Sequence, residues 1–331
     1  EISRAASCSG EGQTVTLDLL REHGAPEFRS RKTGNFAYLD PAGPTPGRAP
    51  GFLFGICNNS ASWSPGEQQK GIEAAALCGA KIVRNTFEWQ RLQPAPDRWN
   101  FAPVDSLIDR HLAAGIELQG FFGFTPRWAA PPERRNASDW KSWNRGAPDP
   151  GAWRNYVRTV LSRYRGKIRY WEVWNEQNGS GFWRDRPSGA NYVPLLKRAY
   201  EEIKKIDPEL TVLYGGTAGV PLGYIEDSLK AGAGAYFDVM NIHPYHWQGV
   251  PELMIAEFRD LGALMKKYGV GDKPLWITEV GWSTALPPVF YREVLPAAFR
   301  RAGIDPAKTT AAAVCDMEKG FSGAAHLNQS G

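Results

Sequence analysis

The hydrophobic pattern repeats along the chain from residue 51 to residue 278. A short apolar run, rich in β-branched and aromatic residues, is followed each time by a longer segment of helical periodicity. Gly, Pro or Asp residues separate the segments. The pattern predicts seven strands, over 52–56, 81–84, 116–122, 168–174, 211–214, 237–242 and 274–278. Helices are predicted over about 65–79, 102–114, 151–165 and 190–205, and plausible helical segments follow the later strands.

Strict alternation of short apolar strands with helices is typical of a parallel sheet covered by helices. Seven such units predict an α/β fold of the (β/α)8 TIM-barrel class. The eighth unit is poorly marked, because only 310–315 offers a strand and 320–331 is rich in glycine. A doubly wound open sheet is the alternative, but it usually carries a GxGxxG loop after its first strand. The segment Gly55-Ile56-Cys57-Asn58 does not match that loop, which favours the barrel.

The first 50 residues differ from the rest of the chain. They are rich in Gly, Pro and charge, and they end in the stretch 39–47, which contains three prolines and two glycines. Such a stretch does not form a regular element. We expect residues 1–50 to be an N-terminal extension and linker, and residues 51–331 to form the catalytic barrel.

Composition excludes several classes of protein. A content of 42% hydrophobic and 22% charged residues is typical of a globular domain, and no apolar run reaches the about 18 residues that a membrane span needs. The net charge of +4, with only short basic clusters, argues against nucleic-acid binding and leaves an acidic substrate open. Four cysteines without a CxxC pair argue against a zinc site and favour buried thiols, with one disulfide left open.

Two carboxylates follow predicted strands at opposite sides of the barrel mouth. Glu176 follows the fourth strand and Glu279 follows the seventh, and barrel enzymes place their chemistry at these carboxyl ends. Retaining cleavage of a glycosidic bond needs a protonated carboxyl and an ionised carboxylate about 5–5.5 Å apart, whereas inversion needs about 6.5–9.5 Å. Thirteen tryptophans agree with a sugar ligand, because indole faces stack on pyranose rings, although tryptophan is also a core residue.

The motifs around these carboxylates resemble those of clan A glycoside hydrolases. Trp174-Asn175-Glu176 and Thr278-Glu279 carry the resemblance to the clan. The runs 171–178, 125–128 and 243–245 most resemble glycoside hydrolase family 39 and its relatives, and the match covers about residues 51–284. The resemblance implies that Glu176 is the general acid/base and Glu279 the nucleophile of a retaining glycosidase. It also implies a covalent glycosyl-enzyme intermediate and no cofactor.

The resemblance extends to supporting residues. Asn175 is expected to bind the sugar 2-hydroxyl, and Arg84, at the end of the second strand, to keep Glu279 ionised. His243 and Tyr245 end the sixth strand, where the tyrosine hydroxyl is expected to orient the nucleophile. Candidate sugar-stacking residues are Trp282 and Trp128, with weaker candidates Phe121, Phe124, Trp183 and Trp247.

Other polar residues are interpreted as structural. Glu172 has the strand parity of Glu176 but lies deeper, so we expect it to be a buried partner of a basic group. His243 and His246 point to opposite faces of a strand, which argues against a metal site. Glu88 follows the second strand and is expected to lie away from substrate.

The sequence leaves the ligand open. An oligo- or polysaccharide, most simply β-linked, is the expected partner, with xyloside, uronide-type and exopolysaccharide substrates all possible, in an exo pocket or an endo groove. A catalytically inactive carbohydrate-binding protein and a transglycosylase remain alternatives. Enzymes that act on polymeric glycans usually work outside the cytoplasm, and the chain begins at Glu1 rather than Met, so a secreted or periplasmic location is expected. The oligomeric state is not indicated.

Overall fold

The computed structural model describes residues 53–245 and 253–281. Strands and helices alternate along them. The strands are β1 (Gly55–Cys57), β2 (Ile82–Glu88), β3 (Glu117–Gly123), β4 (Tyr170–Val173), β5 (Thr211–Leu213), β6 (Thr217–Ala218), β7 (Met240–His243) and β8 (Leu275–Ile277). The helices are α1 (Pro65–Leu77), α2 (Trp89–Leu92), α3 (Ala102–Ala113), α4 (Pro132–Arg135), α5 (Trp140–Asn144), α6 (Pro150–Tyr164), α7 (Gly189–Ile206), α8 (Leu222–Lys230) and α9 (Leu253–Lys267).

Every paired strand in the described residues runs parallel to its neighbours. One sheet has the order β1-β2-β3-β4-β5 and the other has the order β6-β7-β8. Strands β5 and β6 are two parts of one strand position, since β5 pairs with β4 and β6 pairs with β7. A parallel bridge between Leu213 and Val239 joins the two sheets directly. The described strands therefore occupy seven successive positions of a parallel barrel.

These positions match the seven predicted strands, with predicted strands six and seven corresponding to β7 and β8. The helices predicted over 65–79, 102–114, 151–165 and 190–205 are α1, α3, α6 and α7, and their ends agree within two residues. The predicted extension 1–50 and the predicted closing unit at 310–331 lie outside the described residues.

Local signals set the starts of the long helices. Ser64 caps α1 in a capping box with Glu67, because each side chain bonds the backbone N–H of the other. Asp149 accepts a hydrogen bond from Ala152 N at the start of α6, and Ser188 accepts one from Asn191 N at the start of α7. The loops that lead into α1, α6 and α7 therefore end at defined residues.

Aromatic side chains pack the helices onto β3 and β4. The Phe122 and Trp171 rings stack at 4.6 Å between centroids, and both side chains are completely buried. Tyr156 in α6 donates a 2.5 Å hydrogen bond to Phe87 O, and Tyr192 in α7 donates one of 2.7 Å to Val173 O. These buried hydroxyls join α6 and α7 to the carboxyl ends of β2 and β4. The residues that follow these strands are therefore attached to a rigid part of the fold.

Strand β2 corrects the sequence prediction. It runs to Glu88 rather than ending at Arg84, so Arg84 is its third residue and its side chain is buried. Longer β2 pairing with β3 explains the difference, since all seven residues of β2 pair with β3. Among the described helices, none combines the length and apolar character needed to cross a membrane.

Candidate active site

The two predicted catalytic carboxylates meet at the carboxyl end of the sheet. Glu279 lies two residues after β8 and Glu176 three residues after β4. One carboxylate oxygen of each lies within 4.8 Å of the other and of a His243 ring nitrogen. The side chains of Glu176 and Glu279 are 17% and 18% exposed, so both carboxylates reach solvent. This distance between oxygens is compatible with the about 5–5.5 Å between the carboxyl groups of retaining enzymes.

The backbone around Glu176 adopts an unusual conformation. Glu176 has φ of 48° and Trp174 has φ of 72°, both in the left-handed region that side chains other than glycine rarely occupy. Surrounding hydrogen bonds hold the segment, since Glu176 N donates to Gly216 O at 2.8 Å and Trp174 N donates to Phe122 O at 3.0 Å. Strain held in this way at a strand end is typical of functional sites.

Arg84 connects Glu279 to the barrel interior. Its Nη1 lies 2.5 Å from Glu279 Oε1, and its Nε and Nη2 donate to Glu172 at 2.6 and 3.0 Å. Nη2 also donates to Asn175 Oδ1 at 2.8 Å. The guanidinium thus orients Glu279 and Asn175 together, because its donors have a fixed planar geometry.

Glu172 is the buried partner that its strand parity predicted. Its carboxylate is completely buried, and besides Arg84 it accepts hydrogen bonds from Gln119 Nε2 at 2.7 Å and Gly216 N at 2.9 Å. A buried carboxylate is tolerated only when paired and hydrogen-bonded, as this one is.

The surroundings of Glu279 favour its ionised form. Burial raises its pKa, but the Arg84 charge, the His243 ring and hydrogen bonds from Tyr245 and Arg84 outweigh burial, so the pKa is lowered from its ordinary value. Tyr245 Oη donates to Glu279 Oε2 at 3.1 Å. Burial and the charge of Glu279 raise the pKa of Tyr245, which keeps that hydroxyl protonated. The arrangement suits a nucleophile that must be charged.

The His243 ring lies beside both carboxylates, with Nδ1 3.9 Å from Glu279 Oε2. The ring is fully buried, with Nδ1 3.2 Å from Glu176 Oε1 and Nε2 3.0 Å from Thr278 Oγ1. Thr278 Oγ1 in turn donates to Asn241 Oδ1 at 2.9 Å. The chain of contacts fixes the ring plane and therefore the position of the Glu176 carboxyl.

Gly216 is a site residue that the sequence did not reveal. A Cβ added there would lie 2.1 Å from His243 Nε2, so only glycine fits. Its N–H binds Glu172 and its carbonyl binds the Glu176 backbone. The pair Gly215-Gly216 after the fifth strand was the available signal, but glycine pairs are common in loops.

Cys57, at the end of β1, lies against the same network. Arg84 Nη1 donates to its Sγ at 3.6 Å. Burial, with the nearby carboxylates and against the opposing charge of Arg84, raises the pKa of Cys57 to about 11, so it is a thiol. Cys57 and Cys78 are both free, and Cys78 is exposed, which contradicts the expectation that it is buried. Cys8 and Cys315 lie outside the described residues.

Several predicted sugar-stacking residues have no free face. Trp183 is completely buried and Phe121 is covered by the Arg84 guanidinium 4.5 Å above its ring, so these two predictions are wrong. Trp128 is half-buried, and its Nε1 donates to Gln93 O at 2.9 Å. Its contacts are to Gln93 and Trp89 rather than to the carboxylates, and its role stays a prediction. Trp282 and Trp247 lie outside the described residues.

Glu176, His243 and Glu279 also offer three ligand atoms within 4.8 Å, close enough to surround a metal ion. The Arg84 guanidinium and the Tyr245 hydroxyl already donate to Glu279 there. A fixed positive charge beside Glu279 opposes a cation, so the donor set does not fit a metal centre. His246, considered with His243 in the sequence, lies outside the described residues.

Known proteins are similar to this chain in sequence and in fold. The profile described as "Glycosyl hydrolase family 10" matches residues 48–215. A Geobacillus stearothermophilus protein named beta-xylosidase is 27% identical over 216 residues, which cover 58% of this chain and 42% of that protein. A Fusarium oxysporum f. sp. lycopersici protein named endo-1,4-beta-xylanase A is 27% identical over 145 residues, 41% of this chain and 40% of that protein.

Solved structures of other proteins have folds similar to that of this chain. A monomeric beta-xylosidase from Caulobacter crescentus CB15 is 23% identical, with a TM-score of 0.58 over 72% of this chain and 53% of that one. A family 39 glycoside hydrolase from Bacteroides cellulosilyticus WH2 is 22% identical, with a TM-score of 0.55 over 76% and 54%. These likenesses confirm the (β/α)8 barrel. Together with the family profile and the beta-xylosidase relative, they confirm the resemblance to clan A and family 39. The chain spans less than half the length of the two curated relatives.

Proposed function

The chain belongs to glycosyl hydrolase family 10, and on that premise we propose that it is a retaining glycoside hydrolase acting on a β-linked xylan or xylo-oligosaccharide. The observation that carries the proposal is the pair Glu176 and Glu279, whose carboxylate oxygens approach within 4.8 Å at the mouth of the barrel. The relatives named xylosidase and xylanase support the substrate class.

In the first step Glu279 attacks the anomeric carbon, and Glu176 gives its proton to the glycosidic oxygen. The bond from the anomeric carbon to Glu279 forms as the glycosidic bond breaks, and the leaving group departs as an alcohol. The lowered pKa of Glu279 keeps this carboxylate ionised for attack. The Arg84 contact at 2.5 Å and the Tyr245 bond hold it in one orientation.

In the second step Glu176, now a carboxylate, takes a proton from water. The water oxygen attacks the anomeric carbon and Glu279 leaves, so two displacements restore the starting anomer. The contact from His243 Nδ1 at 3.2 Å keeps Glu176 in reach during both steps. One residue serves as acid and then as base because its position does not change.

Asn175 is suited to bind the sugar ring. Its Oδ1 accepts from Arg84, so the orientation of the amide is fixed. The Nδ2 donors have no acceptor among the described residues and remain for the 2-hydroxyl, whose hydrogen bond strengthens as positive charge develops on the ring.

The test is the anomer of the first product. Xylotetraose and an aryl β-xyloside are mixed with the protein, and proton NMR follows the anomeric signals before mutarotation. We expect the β anomer first, as retention requires. An α anomer would show inversion, and glycan binding without release of reducing sugar would support the inactive carbohydrate-binding alternative. A product longer than the substrate would indicate transglycosylation.

A further inference from the structure

An arginine that does not contact Glu176 or Glu279 lies among aromatic rings. Arg145 follows α5, in the loop between β3 and α6, and its guanidinium lies 3.5 Å above the centre of the Phe124 ring. Phe182, from the loop after β4, lies 4.9 Å away, and Trp140 in α5 lies 5.5 Å away. We refer to Arg145, Phe124, Phe182 and Trp140 as the Arg145 slot.

Within the described residues, the cation in this slot has no ion-pair partner. Nε and Nη1 of Arg145 are buried and have no acceptor among residues 53–245 and 253–281, so Nη2 is the nitrogen that a ligand can reach. Two other arginines of these loops are paired, Arg134 with Asp185 and Arg184 with Asp139. Desolvation lowers the pKa of Arg145 to about 10, and only the charge of Glu88 opposes this. Arg145 therefore stays charged at neutral pH, and an unpaired, partly buried cation is costly unless an anion reaches it.

The slot is held rigidly. Thr125 N donates to Asn144 O at 3.1 Å, Asn144 Nδ2 donates to Thr125 O at 3.0 Å, and Arg184 N donates to Arg145 O at 2.7 Å. These bonds join the loops after β3 and β4 on both sides of Arg145. A preorganised donor loses little entropy when it binds.

The slot also borders the catalytic motif. Phe124 makes an edge contact with Trp174 at 5.1 Å between ring centroids, and Trp174 precedes Glu176 by two residues. Trp174 Nε1 donates to Phe182 O at 2.9 Å. A glycan held at the catalytic pair can thus extend over these loops at the carboxyl end of the barrel.

We propose that the Arg145 slot binds the carboxylate of an acidic sugar, a uronic acid carried by the glycan substrate. Arg145 supplies the charged donor through Nη2, and the Trp140 side chain, 49% exposed, supplies apolar surface beside it, although Arg145 and Lys141 lie 5.5 and 5.8 Å from its ring centre. The inference rests on the proposed function, because it assigns a second contact to the same substrate. It adds a residue that selects acidic over neutral glycans.

Binding tests the proposal without depending on turnover. In a Glu176→Gln background, calorimetry compares xylotriose with xylotriose that carries one glucuronic acid branch. We expect the acidic ligand to bind at least about tenfold more tightly, as one desolvated ion pair allows. Arg145→Gln should abolish the preference, and Arg145→Lys should keep part of it.

Arg169→Gln is the matched control, since Arg169 also lies over an aromatic ring, Tyr170, but stands just before β4, at the opposite end of the barrel. It should leave the preference unchanged. Equal affinity for both ligands, or a preference that survives in Arg145→Gln, would overturn the inference. Hydrolysis of the neutral trisaccharide by the unchanged protein is measured separately, so failure of the proposed function is recognised on its own. If Arg145→Gln does not fold, Arg145→Lys decides by the size of its remaining preference.

Discussion

Arg84 and Arg145 are two largely buried cations with opposite surroundings. Arg84 donates to Glu172, Glu279 and Asn175, whereas Arg145 lies among aromatic rings with two buried nitrogens unpaired. Because its partners are all side chains of the protein, Arg84 sets the charge of Glu279 and the orientation of Glu279 and Asn175. A cation without an internal ion pair can pair with a charged ligand through a nitrogen that is not buried, which in Arg145 is Nη2. The residues around Arg84, namely Glu172, Asn175, Glu279, Tyr245, His243 and Gly216, are called the closed network below.

The largest effect on kcat is expected from removing the charge of Glu279, which the closed network surrounds. Glu279→Gln removes the nucleophile while Arg84 keeps its contacts to Glu172, so kcat should fall on the order of 10⁴-fold or more with folding intact. Hydrolysis of an aryl β-xyloside measures it, and circular dichroism serves as the folding control. Turnover near that of the unchanged protein would assign the nucleophile elsewhere.

Glu176→Ala should show a loss that depends on the leaving group. Without a proton donor, substrates with poor leaving groups should slow by about 10²–10⁴-fold, and activated aryl glycosides should slow less in the first step. Azide should then restore part of the rate by attacking the glycosyl-enzyme, giving a β-glycosyl azide. Equal losses on all leaving groups, with no azide product, would remove Glu176 from the acid role.

The stability of two matched variants tests the comparison directly. Arg84→Gln leaves Glu172 buried beside a neutral partner, so the free energy of unfolding should fall by about 3–5 kcal/mol. Arg145→Gln breaks no internal ion pair and should change it by less than about 1 kcal/mol. Urea unfolding at pH 7 measures both. If Arg145→Gln is as damaging as Arg84→Gln, Arg145 is a structural residue and the slot has no need of a ligand.

The position and contacts of Arg84 could be predicted from the sequence, whereas those of Arg145 could not. Arg84, Glu176 and Glu279 could be assigned because strand position fixes where such residues point, and an error at the end of β2 did not move the side chain out of the barrel. Arg145 lies in a long loop, where neither burial nor pairing has a periodic signal. Trp183 was misjudged for the same reason, since loop packing decides which tryptophan keeps a free face.

Gly216→Ala tests whether activity tolerates a displacement of the His243 ring. The added methyl group would clash with His243 Nε2 and push the ring toward Glu176. We expect kcat to fall on the order of 10²-fold, as small misplacements of reacting groups do. Gly223→Ala in α8, where an added Cβ meets nothing within 4 Å, is the control and should keep full activity. Equal activities of the two variants would show that His243 can move without consequence.

Tyr245→Phe should give the smallest change, a shift in pH dependence. The tyrosine hydrogen bond favours the ionised form of Glu279 and so lowers its pKa. Without it the pKa rises, and the acidic limb of kcat/KM against pH should move to higher pH, though less than in Arg84→Gln, where the opposing charge itself is lost. The lowered pKa also stabilises the fold above the pKa of the unfolded chain, and this stability is lost as pH falls through the folded value. Tyr268→Phe, which removes a tyrosine bond to the surface residue Glu226, is the control and should leave the limb in place. A limb that stays fixed in Tyr245→Phe would mean that Arg84 alone sets the charge of the nucleophile.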